Sequence, residues 1–285
     1  MILLPSDVSA LASIACLLAA GAPKPGNVSP GRAFHDMKYE DFAASALAIA
    51  PLLGQAGQRP LGETMRDAIR ATRRWTTANT NLGIVLLLTP LARAALTAGT
   101  TPLRRQLESV LGGTTVADAV ETYVAIREAS AGGLGTAAVQ DLEQQPTVPL
   151  LEAMRLAAGR DSIASEYATS FALTFETGLP ALRDARGMGL PWRETVVETY
   201  LTLLAAHPDT LIARKLGREA AERVSYRAAA VQKLGGVRSE AGRAAIESFD
   251  AELRDPHNRR NPGTTADLTC SAIFVALAVD GWKPD

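Results

Sequence analysis

The stretch Leu82–Ala98, LGIVLLLTPLARAALTA, does most to decide the fold. Its apolar residues cover nearly every side of a helix, and this pattern predicts a helix that is buried all round. The most apolar part, Ile84–Leu88, is short, and Pro90 and Arg93 follow it closely. A membrane-spanning helix needs about 20 predominantly apolar residues. We therefore expect this segment to be the central helix of a globular protein.

Helical periodicity continues from this segment towards both ends of the chain. Alanine and leucine dominate, and alternating runs of β-branched residues are scarce. The predicted helices are Asp7 to about Ala20, Tyr39–Leu53, Gly62–Trp75, Leu82–Ala98, Asp118–Ala129, Asp161–Glu176, Trp192–Ala206, Asp209–Leu234, Arg238–Leu253 and Thr264–Val279. We predict an all-α fold of ten or more helices in a single domain over residues 1–285. The Gly- and Pro-containing stretch Ala131–Pro149 is predicted to be a long surface loop, either flexible or a lid.

The overall composition excludes several classes of protein. Hydrophobic residues make up 47% of the chain, charged residues 21%, and the formal net charge is −1. No global basic field therefore attracts nucleic acid or a membrane surface. Cys16 and Cys270 lie in apolar helical segments and are expected to be reduced core residues. The first residues lack the basic region of a signal peptide, so the expected location is the cytoplasm.

Three polar segments interrupt this apolar helical sequence, and the first is Gly21–Met37. Lys24 lies between two prolines, so a stiff loop holds it either in solvent or against a phosphate. Asn27, Ser29 and Arg32 supply further donors that could reach the same anion. His35 and Asp36 precede a predicted helix, where Asp36 is either a helix cap or a magnesium ligand beside an acid or base.

The second polar segment, Asn79–Gly83, lies at the start of the apolar helix. Asn79, Thr80 and Asn81 can cap that helix, or they can help its free N–H groups to bind an anion. The free N–H groups at a buried helix start need an acceptor, either from the protein or from a ligand.

The third polar segment, Asp255–Asp267, precedes and opens the last helix. Arg259 and Arg260 suit bidentate contacts with phosphate, and Thr264 adds a hydroxyl group. Asp267 either complements the dipole of that helix or faces a cation in the site. Two interpretations are also open for Asp209 and Arg214. Either their charges simply complement the dipole of the predicted helix, or Asp209 binds a metal ion and Arg214 binds a phosphate. P-loop, zinc, nucleophile-elbow and dinucleotide motifs are all absent from the sequence.

Together these segments resemble the triphosphoribosyl-dephospho-CoA synthase family. The resemblance rests on Pro23–Gly26, His35–Met37, Asn79-Thr-x-x-Gly83, Asp161, Tyr167-Ala-x-x-Phe171, Asp209-Thr210 with Arg214, and Asn261–Leu268, in the family's order. Three motifs depart from the family pattern. Asn27-Val28-Ser29 replaces Leu-Val-Asp, Asn81-Leu82 replaces His-Lys, and Asn261–Asp267 replaces Ser-Pro-Gly-Gly-Ser-Ala-Asp. This version resembles a divergent branch found in archaea and methylotrophic bacteria.

The resemblance implies an enzyme that transfers the triphosphoribosyl group of ATP to the ribose 2′-hydroxyl of 3′-dephospho-CoA and releases adenine. It implies Mg²⁺ held by Asp36, Asp209 and Asp267. Phosphate binding would fall to Lys24, Asn27, Ser29, Arg32, Asn79, Thr80, Asn81, Arg214, Arg259, Arg260 and Thr264. The candidate catalytic residues are His35, Asp36 and Asp267. Two alternatives remain open, a related nucleotide or phosphoribosyl transferase in pterin-type one-carbon cofactor synthesis and a non-catalytic nucleotide-binding protein. The expected partners are small nucleotides, with no nucleic acid and no membrane, and a homodimer is left open.

Overall fold

The structure is a computed structural model that describes residues 3–129 and 142–283. Within these ranges the chain forms fourteen α-helices and no strand, so the all-α prediction is confirmed. The helices are α1 Pro5–Gly21, α2 Tyr39–Gly54, α3 Leu61–Arg73, α4 Leu82–Thr97, α5 Leu103–Gly112, α6 Val116–Glu128, α7 Leu150–Ala157, α8 Ser162–Ala168, α9 Leu179–Gly187, α10 Trp192–Ala206, α11 Thr210–Leu216, α12 Arg218–Lys233, α13 Glu240–Leu253 and α14 Gly263–Asp280. Most of the predicted Ala131–Pro149 loop lies outside the described residues.

The core of the fold is built around α4 and α14. Helix α4 is buried from Leu82 to Ala92 and packs against α1, α2, α3, α5, α8 and α14. Helix α14 is buried from Leu268 to Leu277 and packs against α1, α4, α9 and α10. By length and composition alone α14 could cross a membrane, with a mean hydropathy of 1.3 over its 18 residues, but 67% of it is buried inside the fold. Its apolar character is therefore explained by its central position.

The predicted helix Asp161–Glu176 is interrupted in its middle, so that prediction is wrong in its length. Ser170 and Phe171 have positive φ angles of 51° and 61°, which end α8 and start a π-helical segment, Leu173–Gly178. The buried carboxylate of Glu166 accepts the backbone N–H groups of Leu173 and Thr174 at 2.8 Å and 2.9 Å. This interaction satisfies donors that the interrupted helix leaves free.

The predicted long helix Asp209–Leu234 is also two helices, because Gly217 takes a φ of 87° between α11 and α12. Glycine adopts that left-handed conformation without steric cost. Helices α5, α7 and α9 were not predicted, and each has ten residues or fewer. Short helices give too few turns for a clear apolar period.

Candidate active site

A cavity of about 280 Å³, the outer cavity, opens at the N-terminal ends of α4, α8, α11 and α14. Gly83, Ile163, Leu211 and Thr264 line it from these four helices, and Met154 of α7 contributes to an apolar wall. The N-terminus of a helix presents free N–H groups and the positive end of a dipole. The outer cavity therefore suits a ligand with negative charge at one end and apolar surface at the other.

A smaller cavity of about 50 Å³, the inner recess, leads from the outer cavity towards α1 and α2. The two cavities share Asn27, Phe42, Thr80, Asn81, Asn261, Ala266 and Asp267. Lys24 lines only the inner recess. Residues from all three polar segments of the sequence thus meet at one place.

The start of α4 presents unused backbone donors to this place. Asn79 accepts a hydrogen bond from the N–H of Leu82 through its Oδ1 atom at 3.2 Å. In the described part of the chain, the N–H groups of Gly83 and Ile84 have no acceptor. Asn79 therefore caps one donor of α4, and binding of an anion by the two remaining N–H groups stays a prediction.

Thr80 and Asn81 are buried and hold the α4 terminus in position. The Thr80 hydroxyl lies 2.6 Å from that of Ser45 in α2. The Asn81 side chain donates to the Thr72 hydroxyl in α3 at 2.9 Å. Both residues line the two cavities, but part of their polar capacity is used to join α2, α3 and α4.

Asp267 lies against the start of α4. A Cβ atom added to Gly83 would collide with Oδ2 of Asp267, and the Asp267 carboxylate makes no hydrogen bond among the described residues. Burial raises its pKa well above the ordinary value, and the charges of Asp209 and Asp161 raise it further, while Arg214 and Lys24 oppose the shift. Asp267 is therefore a half-buried acid group in the centre of the site, without a hydrogen-bond partner in the described residues.

Lys24 is 2% exposed, which is rare for a lysine. Its Nζ atom donates to the backbone carbonyl of Ala19 near the end of α1. Burial lowers its pKa to about 8, against opposing effects from Cys270 and Asp267. The loop that carries it holds this amine inside the protein and does not present it to solvent.

Arg214 lies on the wall of the outer cavity that α8 and α11 form. One guanidinium nitrogen donates to Oδ2 of Asp161 at 2.8 Å, and the buried Nε atom has no partner among residues 3–129 and 142–283. Oδ1 of Asp161 accepts the N–H groups of Ile163 and Ala164, which caps α8. Arg160 also lines the cavity, and its exposed side chain has no ion-pair partner in the described structure. Two arginines thus border the cavity.

Asp209 is 1% exposed and lies behind the cavity wall. Its Oδ1 atom accepts the N–H groups of Leu211 and Ile212, and its Oδ2 atom accepts the N–H and hydroxyl of Thr265 at 2.7 Å and 2.8 Å. Burial raises its pKa, while these hydrogen bonds lower it. The structure therefore uses Asp209 to join the starts of α11 and α14.

Thr264, the residue before Thr265, is 3% exposed and lines the outer cavity. Its hydroxyl accepts from that of Thr210 at 3.4 Å.

The loop Pro23–Arg32 is attached to α10 and α13. The Asn27 side chain donates to the Tyr200 hydroxyl at 3.0 Å, and Asp250 accepts the Gly26 N–H at 2.7 Å. Arg32, which was predicted to bind phosphate, forms ion pairs with Asp250 at 3.2 Å and Glu247 at 2.7 Å. Its guanidinium group is therefore already bound by carboxylates. Of the predicted donors in this loop, Lys24 and Asn27 line a cavity, whereas Ser29 and Arg32 do not.

Ser29 is 2% exposed, and its hydroxyl has no partner in the described structure.

His35 and Asp36 lie at the surface, away from the cavity lining. The Asn258 side chain lies 3.2 Å from Nδ1 of His35 and donates to Oδ1 of Asp36 at 3.1 Å. Arg259 and Arg260 are also exposed, with contacts to Asp255 at 3.7 Å and to the Glu252 carbonyl at 3.3 Å. The first and third polar segments therefore do meet, but these four residues lie outside both cavities.

The predicted magnesium ligands do not form one cluster. In residues 3–129 and 142–283, no group of three or more His, Cys, Asp or Glu residues could hold a metal ion. Asp267 lines both cavities, whereas Asp36 and Asp209 line neither. The Oδ1 atom of Asn261 is buried and has no partner in the described structure, and this side chain lines both cavities.

Several residues that build the site were not predicted from sequence. Asp250 lies in the last turn of α13 and Arg254 directly follows that helix, and Arg254 donates to Oδ2 of Asp250 and to the Asn27 carbonyl. Tyr200 donates to the Pro25 carbonyl at 2.8 Å. An acid and a base four residues apart usually indicate a solvated helix face, so only the fold reveals that this pair holds a loop.

Comparisons with known proteins identify the family to which the chain is similar. The family described as ATP:dephospho-CoA triphosphoribosyl transferase matches residues 5–284. The "Probable 2-(5''-triphosphoribosyl)-3'-dephosphocoenzyme-A synthase" of Stutzerimonas stutzeri is 30% identical over 105 residues, which span 37% of this chain and only 36% of that relative. A crystal structure from Archaeoglobus fulgidus, assigned to a triphosphoribosyl-dephospho-CoA synthase, is 29% identical. It matches with a TM-score of 0.66 over 84% of this chain and 99% of that one.

Proposed function

The chain belongs to the family of ATP:dephospho-CoA triphosphoribosyl transferases, and from this premise we propose that it is a pentosyltransferase that uses ATP. In the proposed reaction the ribose 2′-hydroxyl of 3′-dephospho-CoA attacks C1′ of the ATP ribose. Adenine leaves, and the triphosphate stays on the transferred ribose. The product is a precursor in cofactor synthesis.

The observation that carries this proposal is the position of Asp267. Its carboxylate lies beside the free N–H groups at the start of α4, in a cavity that Arg160 and Arg214 also line. Helix N–H groups and arginines bind phosphate, while a carboxylate stabilises positive charge that develops on a ribose carbon. One cavity therefore combines the two kinds of group that a triphosphoribosyl transfer needs, and this supports the proposal.

We propose that Mg²⁺ enters with the triphosphate. Magnesium usually keeps several waters and takes one or two protein oxygens together with substrate phosphates, so it needs no cluster of three acids. The carboxylate of Asp267 and the buried Oδ1 atom of Asn261 line the cavity without a hydrogen-bond partner among the described residues, and they would hold the ion. The ion would neutralise charge on the phosphates and favour ionisation of Asp267.

Of the three candidate catalytic residues, we propose that Asp267 faces the reacting carbon. His35 and Asp36 lie at the surface beside Asn258, so a role for them requires a substrate that extends over that surface. We further propose that the enzyme works in the cytoplasm on small nucleotides, without nucleic acid or a membrane, and that it forms a homodimer.

The experiment is incubation of the protein with ATP, Mg²⁺ and 3′-dephospho-CoA, followed by chromatography for adenine and mass spectrometry for the joined product. Asp267→Asn should abolish most of the adenine release. Asp36→Asn, which changes an exposed acid outside the cavities, is the matched control. If the wild-type protein releases no adenine, the proposed substrate pair is wrong.

One observation favours a second candidate, a related transferase with another nucleotide or phosphoribosyl substrate. Where the family pattern has His-Lys, this chain has Asn81 and Leu82, and the Asn81 amide is turned to Thr72. The cavity therefore lacks a cation at that point. A thermal-shift screen of nucleotides and phosphoribosyl compounds separates the candidates, because only the second predicts strong stabilisation by a ligand other than ATP or 3′-dephospho-CoA.

A further inference from the structure

The inner recess has the chemistry of a site for a flat, uncharged ring. Phe42, Ala46 and Ile84 give it apolar surface, and Phe34 adds a second aromatic ring. Polar atoms occur where it joins the outer cavity, on Asn27, Thr80 and Asn81. Proteins that bind a nucleobase combine aromatic or apolar faces with a few polar groups at the edge of the base. A triphosphate, in contrast, gains nothing from such surfaces.

Lys24 is the cation of this recess. Its ammonium group has three N–H donors, one of which is bound to the Ala19 carbonyl. No ion pair with Asp267 forms within 4.0 Å, so the remaining donors are available to a ligand in the recess. A buried lysine that served only to cap α1 would not need to line a cavity.

We propose that the inner recess binds the adenine base of ATP and that the ammonium group of Lys24 donates the proton that the departing adenine takes up. This inference rests on the proposed function and assigns its leaving-group subsite. It also gives Lys24 a role different from the predicted phosphate contact, which falls to Arg160, Arg214 and the start of α4.

The proposed step balances as follows. The bond between C1′ and N9 breaks, and its electron pair goes to the base. Lys24 gives one proton to a ring nitrogen of adenine, while the acceptor oxygen bonds to C1′ and its proton passes to water. Lys24 is left neutral and regains a proton from water after the products leave.

The surroundings of Lys24 fit a proton donor near neutral pH. The titratable groups that face it are Cys16 from α1, and Asp267 and Cys270 from α14, while the residues of α2 and α4 that line the recess are uncharged. Burial lowers the pKa of Lys24 to about 8. General acids work best when their pKa is close to the working pH.

The first test needs only the wild-type protein and two substrates, ATP and its N7-methyl derivative. Methylation makes the base a cation that leaves as a neutral molecule and needs no proton. With ATP, kcat/KM should fall above about pH 8, where Lys24 loses its proton. With N7-methyl-ATP this decline should be absent. Equal pH profiles with the two substrates would overturn the role of Lys24.

The second test compares two substitutions. Lys24→Met should lower kcat with ATP by about 10²–10⁴-fold, the usual contribution of a general acid, and spare N7-methyl-ATP. An equal loss with both substrates means that Lys24 only supports the fold, and it contradicts the inference. Failure of the wild-type protein to release a base from either substrate contradicts the proposed function instead, so the two failures are distinguishable.

A third test locates the base by binding. Ala46→Leu fills the inner recess, and Ala153→Leu adds the same side chain to the outer cavity. We expect Ala46→Leu to weaken binding of adenine more than 10-fold by calorimetry and to leave binding of inorganic triphosphate with Mg²⁺ unchanged. If Ala153→Leu instead weakens adenine binding and Ala46→Leu does not, the base lies in the outer cavity and the assignment is wrong.

Discussion

The carboxylate of Asp267 occupies the space that a side chain on Gly83 would need. A Cβ atom at position 83 would collide with Oδ2 of Asp267 and would lie 2.6 Å from Cδ1 of Ile163. Glycine is therefore required at the start of α4 so that an acid from α14 can approach the helix terminus. The contact brings the second and third polar segments together, and it fixes where the acid of the site points.

Gly83→Ala should therefore damage activity more than stability. The new methyl group displaces the Asp267 carboxylate, and a shift of about 1 Å in a reacting group can lower a rate by about 100-fold. Alanine also has the better helix propensity, which offsets part of the strain. Gly112→Ala is the matched control, because no atom lies near its added Cβ. Activity within threefold of wild type in Gly83→Ala would show that Asp267 need not lie at this contact.

Asp267→Asn should abolish adenine release while the protein becomes no less stable. The acid has no hydrogen-bond partner among the described residues, and burial raises its pKa well above the usual value. Because the folded state holds this proton more tightly, the stability of the wild-type protein falls as pH rises above the ordinary value of 3.8. Urea unfolding should show a larger relative gain for the variant at pH 7 than at pH 4. A variant that is less stable at both pH values contradicts this reasoning.

Arg214→Lys should weaken binding of triphosphate at least 10-fold. A lysine cannot contact Asp161 and a phosphate through one planar group, as the guanidinium can. Arg259→Ala, which removes an exposed arginine outside the cavities, should change the affinity less than threefold. Calorimetry with ATP and Mg²⁺ measures both. If Arg259→Ala weakened binding more than Arg214→Lys did, the phosphates would bind at the surface loop that carries Arg259.

The sequence predicts the helical class, the central helix and the three polar segments because each has a local signature. An apolar helix such as α4 is recognisable by composition, and its polar N-terminus by Asn79 and Asn81. The break at Ser170 could not be predicted, because Glu166 stabilises it through hydrogen bonds that form only in the folded chain. The end of α11 had a visible signal in Gly217, but a charged helical pattern on both sides of it obscured the break.

Individual residues of the site were harder to place than the segments that carry them. Lys24 and Arg32 have the same charge and lie in one loop, yet one is buried in the recess and the other is paired with Glu247 and Asp250. Which of them faces the cavity depends on α13, more than 200 residues away in sequence. Local patterns contain no information on such a distant contact, so they identify the loop but not the residue.

Asp209→Ala should lower the free energy of unfolding whether or not Mg²⁺ is present. The substitution removes the hydrogen bonds that hold the starts of α11 and α14, and we expect a loss of about 3 kcal/mol of unfolding free energy. Asp36→Ala, at an exposed position, should change stability by less than about 0.5 kcal/mol. Denaturation with and without Mg²⁺ measures the difference. A loss that occurs only with Mg²⁺ would instead make Asp209 a metal ligand.

Lys24→Met should change how stability depends on pH. Because burial lowers the pKa of Lys24 from 10.5 to about 8, the unfolded chain binds this proton more tightly than the folded one. The cation therefore destabilises the fold at every pH below about 8, and this effect disappears as pH rises towards 10.5. At about 1.4 kcal/mol per pKa unit, the stability of the wild-type protein relative to Lys24→Met should rise by about 3 kcal/mol over that range. Lys233→Met removes an exposed lysine and should show no such rise. Chemical denaturation at pH 7.5 and pH 10 is the measurement, and a constant difference would show that Lys24 is solvated.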